Sequence, residues 1–572
     1  MEAVSADVQV VLLLLAPLTA ALISLTGKVF PKIPSAGLSF IIWLGASAWT
    51  LWQTAGLAAG REALRYAVGG WPEPFGIILE LNGISWLISL LAVVIVAVVW
   101  SATYRQGFYS GSFYLTLYLT HFSLQGILFS RDLFNLFVWF EVLSLCSIIL
   151  VAYDRRPRAL LAALRYLLLS TISIVFYLLG LWILYTHTGS LAFSGIGAYI
   201  GALPAGAGRR PAMVALGLIS AGVLTRSAVI PFHTWLPPAH SSAPFPVSAL
   251  LSSLVIKVPL LALWHFFLYL PFIPLTPLLL WLGLGSALTG GAAALLQSDA
   301  KRILAYSSVG QMGFILTAFA AGNQVAGGAI AGVAGAATLF YILMHATSKA
   351  LLFLSVGYVT HTAGSRDVHF LRGMQRRFPL TALYYWIAAL TLMGLPLSGG
   401  YFAKVLVSSA LYGHIGTWIL TVAGAFTAAA LFKLGRIFTG RAESLPGPPR
   451  PSGSPLLGMG MTLAAAICVA IAVLHQELFC FLTDIVGQAT LAAPGSGLSC
   501  AASDLAWLSD ASLIKAAATT LIGFLGLFAL HAEVVARFAR RLTGLLTAGL
   551  DRSLQLLSIG LLIFVLYSAL VL

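Results

Sequence analysis

Apolar runs of about 17–25 residues, each long enough to cross a bilayer, recur roughly sixteen times along this chain. Nothing else in the sequence restricts the fold as strongly. In hydrocarbon, backbone N–H and C=O groups need partners within their own segment, so such runs form helices. The expected fold class is all-α: a polytopic membrane bundle of about sixteen helices. A content of 60% hydrophobic and 8% charged residues excludes a soluble chain of this size. Glu2 and Asp7 stand where a secretory leader carries positive charge, so the first span is expected to be retained. Longer connections fall near 58–82, 187–211, 438–455 and 476–510. Residues 531–552 are basic and amphipathic, which suits a helix lying in the lipid interface.

Lysine and arginine exceed aspartate and glutamate by 31 to 17. The excess is not spread evenly. Lys28, Lys32, Arg105, Arg155, Arg156, Arg158, Lys301, Arg302, Arg366, Arg372, Arg376, Arg377, Lys433, Arg436, Arg441, Arg450 and Arg537 to Arg552 follow odd-numbered spans. Connections after even-numbered spans hold Arg61, Arg65, Arg131, Arg209 and Arg210. The positive-inside rule then puts both termini on the outer side of a prokaryotic inner membrane, and no nucleic-acid partner is needed to explain the charge. The four cysteines are too scattered for a metal or cluster. No P-loop or GxGxxG follows a strand. No cofactor and no metal are expected on this chain, so a redox reaction would run on its partners. Cys480 and Cys500 share a connection expected on the oxidising side, where they can pair. Cys146 and Cys468 are expected as buried thiols.

Two spans are interrupted. In LTRSAVIPFHTWLPPAHSSAPFPVSALLSSLVIK, Pro231 and Pro237 break the helix that arrives at Arg226, because proline removes a donor and clashes with the preceding turn. In LTLMGLPLSGGYFAKVL, Pro396, Gly399 and Gly400 do the same, and Lys404 follows. A basic residue precedes the first break and follows the second. Breaks at corresponding places in two halves suggest an inverted repeat with its sites at mid-membrane. The expected organisation is 1–110, N-terminal helices; 111–270, first repeat; 271–440, second repeat; 441–572, C-terminal helices.

Glu141 is the acid set deepest in an apolar run, LFNLFVWFEVLSLCSIIL. A carboxylate there is neutral or paired, with Arg226 the expected partner, and the pair reads either as functional or as a structural tie. Arg165, Arg226, Lys257, Lys349 and Lys404 supply the cations. A desolvated ammonium beside a changing charge is poised to exchange its proton. His345 and Lys349 are four residues apart and share one helix face. His233 and His240 flank the first break, where they read as auxiliary polar groups or as partners for freed backbone.

At these residues the sequence resembles the antiporter-like membrane subunits of proton-pumping NADH–quinone oxidoreductase, membrane-bound hydrogenase and Mrp antiporters. The segments RDLFNLFVWFEVLSL, AVIPFHTWLPPAHSSAPFPVSALLSSLVIK, SDAKRILAYSSVGQMGF, HATSKALLFL and GLPLSGGYFAK carry the likeness, over roughly residues 80–440. The resemblance implies proton transfer along Glu141, Lys257, His345, Lys349 and Lys404. These match the acid of the family's fifth helix, the axial lysine of the eighth, the relay of the eleventh and the exit lysine of the broken twelfth. Two positions depart from the pattern. Arg226 replaces the usual lysine of the seventh helix and stays charged, and Pro238 replaces an aspartate.

The expected function is proton translocation along a buried Glu/Arg/Lys/His axis, coupled to a redox or other exergonic partner. The implied partners are other membrane subunits, a peripheral partner on the cytoplasmic side, and lipid. Rival readings are Mrp-type Na+/H+ exchange, an ion-flux module that energises a soluble enzyme, and a scaffold that has lost transport.

Overall fold

The structure, a computed structural model, describes residues 6–30, 34–59, 62–204, 209–270, 275–324, 329–411, 414–440, 455–489, 510–529, 555–563 and 567. The chain opens with α1 (Ala6–Val29) and α2 (Ser35–Gln53). A short antiparallel hairpin of β1 (Leu64–Ala67) and β2 (Ile78–Leu81) follows, pairing Arg65 with Glu80. Then come α3 (Gly83–Thr103), α4 (Gly111–Phe129), α5 (Leu133–Val151), α6 (Pro157–Thr188), α7 (Phe193–Ala202) and α8 (Arg210–Arg226). The first break contains α9 (Leu236–Ser242) and leads to α10 (Phe245–Leu250) and α11 (Val258–Phe267). Next are α12 (Thr276–Leu296), α13 (Ala300–Gln324) and α14 (Ala329–Ala363). The second break separates α15 (Pro379–Met393) from α16 (Gly399–Ala410). The order ends with α17 (Gly416–Gly435), α18 (Pro455–Val473), α19 (His475–Ala489) and α20 (Asp510–Ala529).

Among the described residues, eleven helices are long and apolar enough to cross a membrane. The other expected crossings fall on α4, α8, the broken α15–α16 pair, α20 and the helical residues 555–563. These are interrupted, shorter or rich in polar residues; α4, for example, reads GSFYLTLYLTHFSLQGILF. Three of the expected connections are more ordered than the sequence suggests. The first holds the hairpin, the second α7, and the fourth opens with α19. The amphipathic 531–552 segment lies outside the described residues.

Local chemistry sets several boundaries. Asn82 and Ser85 form a reciprocal capping box on α3, and the Asp132 carboxylate accepts the Asn135 N–H to cap α5. Gly394, at φ 80°, terminates α15 in a conformation side chains disfavour. The centre is formed by Phe245–Phe267, Ala300–Gly322 and Val333–Ala363, whose most apolar stretches are wholly buried. Helices α12 and α13 pack backbone to backbone: a Cβ on Gly313 would lie 2.2 Å from the Ala287 nitrogen. This interior receives the charged residues.

Candidate functional site

The first break delivers Arg226 and Lys257 to the interior. Freed backbone groups are met by neighbours: the Trp235 indole donates to the Thr225 carbonyl at 2.8 Å, and Ile230 N–H donates to Ser286 Oγ at 2.9 Å. Neither ring nitrogen of His240 has a hydrogen-bond partner among the described residues, so its expected backbone-supporting role does not appear. The ring instead stacks on Phe353 at 4.6 Å. His233 is buried near Tyr306, with Nδ1 also without a partner.

Arg226, 6% exposed, donates to Glu141 Oε1 at 2.7 Å, to the Phe140 carbonyl at 2.9 Å and to Ser144 Oγ. The expected pair is present, but Glu141 is not enclosed: its side chain is 36% exposed. The reason is helical phase. Phe134, Val138, Leu145 and Ile149 form the outward stripe of α5, and Glu141 belongs to that stripe by spacing. It reaches back to Arg226. Arg165, on α6, is half-buried and makes no ion pair among the described residues; its Nε has no partner.

Lys257 stands where α10 passes through a π turn, Leu251–Val255, into α11. The turn skips the ordinary pairing, and the Lys257 ammonium donates to the Ser252 carbonyl. Ser252 Oγ and Ser308 Oγ share a hydrogen bond of 2.8 Å. The adjacent Ser307 Oγ accepts from Lys349 Nζ at 3.0 Å, and Lys349 also donates to the Leu304 carbonyl at 2.9 Å. Thus three serines, two of them from the SDAKRILAYSS segment, lie between Lys257, which meets the Ser252 carbonyl, and Lys349, which meets the Ser307 hydroxyl. Ser307 and Ser308 are legible in the sequence only as part of that segment, and Ser252 does not stand out there. Its signal was available in the serine pair five and four residues before the lysine.

His345 is fully buried one turn before Lys349, and both ring nitrogens lack partners among the described residues. One turn further, Tyr341 Oη donates to Gln311 Oε1 at 2.7 Å, and Gln311 reaches Thr427 Oγ1 at 3.4 Å. On the far side of the second break, Lys404 donates to the Met393 and Leu392 carbonyls at 2.6 and 3.1 Å, closing the C-terminus of α15. The break needs glycine: a Cβ on Gly400 would sit 1.7 Å from the Thr391 oxygen. Around the centre, Lys257, Lys349, His345 and His240 lie near enough for their charges to interact. Asp299 serves elsewhere, capping α13 through the N–H groups of Lys301 and Arg302 and pairing with Arg366.

Cys146 and Cys468 are buried free thiols. Cys480 is disulfide-bonded, and Cys500 lies outside the described residues. One charged cluster was not anticipated. Glu80, 5% exposed, accepts from Arg65 Nε at 2.9 Å and Arg131 Nε at 3.1 Å. The sequence put it in a connection, where carboxylates are ordinarily solvated.

The family model described as NADH:quinone oxidoreductase/Mrp antiporter, TM, matches residues 130–430. A curated relative from Desulforudis audaxviator (strain MP104C), NADH-quinone oxidoreductase subunit N, is 36% identical over 388 residues. That alignment covers 65% of this chain and 75% of the relative. A chain of the membrane-bound sulfane sulfur reductase, an archaeal respiratory membrane complex, has the same fold. Its TM-score is 0.74 at 23% identity, covering 84% of this chain and 97% of that one. A chain of the Mrp complex from Dietzia sp. DQ12-45-1b also gives 0.74, at 20% identity, with coverages of 86% and 98%.

Proposed function

Because this chain belongs to the NADH:quinone oxidoreductase/Mrp antiporter family of membrane proteins, we infer that it is a proton-translocating, antiporter-like subunit of a multi-subunit membrane complex. The observation that carries this reading is the serine cluster between Lys257 and Lys349. A protonated lysine and a neutral one, both enclosed and with serine hydroxyls between them that can donate and accept, can pass a proton from the first to the second. His345 and the Tyr341–Gln311–Thr427 group extend the polar line toward Lys404. Arg226 stays charged and acts on the line through its field, with Glu141 as counter-ion. Residues 111–270 and 271–440 serve as two half-channels.

A peripheral partner on the cytoplasmic side supplies the driving reaction, and both termini face outward. The cargo is the proton. The line is built of lysine, histidine, tyrosine and serine groups, each able to bind and release a proton. Proton translocation by the intact complex in proteoliposomes is the test. Lys257→Ala and Lys349→Ala should each slow it roughly a hundredfold with assembly preserved. Native rates from both would overturn the reading.

A further inference from the structure

The axis described so far leaves one buried base unused. His265, on α11, is 2% exposed, and neither ring nitrogen has a hydrogen-bond partner among the described residues. It lies on the same helical face as Lys257, eight residues on, which is about 12 Å along the axis. Leu261, one turn between them, is fully enclosed. Four residues past His265, Tyr269 Oη stands 3.4 Å from Glu80 Oε2. Glu80 is the hub of the hairpin cluster. Its Oε1 accepts from Arg131 and from Asn82 Nδ2 at 3.2 Å, and its Oε2 accepts from Arg65. The Arg65 side chain is 65% exposed, so the cluster reaches the surface. Arg131 also lies near enough to His265 for the two to interact electrostatically.

We propose that His265 and Tyr269 form a second proton route between Lys257 and the face of the protein that carries the β1–β2 hairpin, with the Arg65–Glu80–Arg131 cluster as its outer valve. This rests on the reading of Lys257 as a proton carrier. The imidazole takes a proton at one nitrogen and releases the other proton from the second nitrogen, and a ring flip resets it. The Tyr269 hydroxyl accepts on one side and donates on the other. Beyond it, two guanidiniums share one carboxylate. Their surplus positive charge opposes proton entry from outside, while Glu80 accepts the hydrogen bond that orients Tyr269. The hairpin residues Arg65 and Glu80 precede the 130–430 stretch that the family model matches, so two of the valve's three residues come from outside it, while Arg131 stands at its start.

The test uses the intact complex in proteoliposomes. His265→Gly and His265→Gln should each lower proton translocation about tenfold or more with assembly unchanged, and Tyr269→Phe about threefold. Imidazole added to the His265→Gly complex should restore part of the rate. Pyrazole, which has nearly the same shape but is a far weaker base, should not. A native rate in His265→Gln overturns the route, and that variant decides the matter if the glycine variant fails to assemble. Failure of imidazole to restore any rate, or equal restoration by pyrazole, also overturns it, since the ring would then only fill space. The underlying reading is separable. Translocation at the native rate in Lys257→Ala defeats the axis itself, whereas loss there beside a native rate in His265→Gln defeats this route alone.

Discussion

Arg226 holds a carboxylate, a carbonyl and a hydroxyl at once through its planar fork of donors. A lysine would keep the charge but lose part of the fork. Arg226→Lys should therefore retain a measurable fraction of proton translocation. Arg226→Ala strands Glu141 without its partner and should lose roughly tenfold more. Glu80 makes a different prediction. Burial pushes its carboxyl up, but Arg131 and then Arg65 outweigh that and hold it below the usual carboxylate range. A depressed value in the folded state means stability that is present above the unfolded carboxylate's pKa of about 4.3 and lost as pH falls through the folded value. Thermal unfolding of the purified complex should thus show an acid-side loss of stability that Glu80→Gln abolishes. The same variant should be about 3–5 kcal/mol less stable at neutral pH, because Arg131 is left buried with a neutral partner. An unchanged midpoint across pH would remove Glu80 from the account. Glu141 and its arginine were legible in the sequence because a charge in an apolar run has no ordinary explanation. Glu80 was not, since its burial depends on a hairpin folding over it.

Helix interruptions were the most readable elements, and their purpose emerges only in three dimensions. Proline and glycine mark where α8 and α15 end, yet no sequence pattern announces the π turn before Lys257. That turn arises from tertiary packing, with Ser253 donating to the Ala346 carbonyl on α14 at 2.8 Å. Likewise α7 and α19 were missed because they are short or amphipathic and sit inside expected connections. The second break offers the cleaner test. A methyl group on Gly400 would collide with the Thr391 carbonyl, so Gly400→Ala should force α16 away from α15. The expected result is a loss of about 1–3 kcal/mol in stability together with loss of translocation, because Lys404 leaves its carbonyls. Normal stability and flux would mean that the break tolerates a side chain. Gly313→Val should be worse, since the α12–α13 crossing is backbone against backbone.

Across the whole molecule, the buried centre is surrounded by helices with broad exposed apolar faces, and α5 turns one such face outward with Glu141 on it. A carboxylate on an apolar stripe needs cover, and a neighbouring membrane subunit can supply it. A photo-crosslinking residue at Val138 or Leu145 should therefore capture a membrane subunit of the complex. Capture of lipid alone would place that stripe against the bilayer. The interior has one more consequence. Lys257, Lys301, Lys349, Lys404 and Lys433 all donate to main-chain carbonyls, and none forms an ion pair among the described residues. A neutral oxygen can release an ammonium without pulling opposite charges apart. These lysines are moored to the backbone rather than bonded to a rival charge, so a small movement of one helix end is enough to cast any of them off.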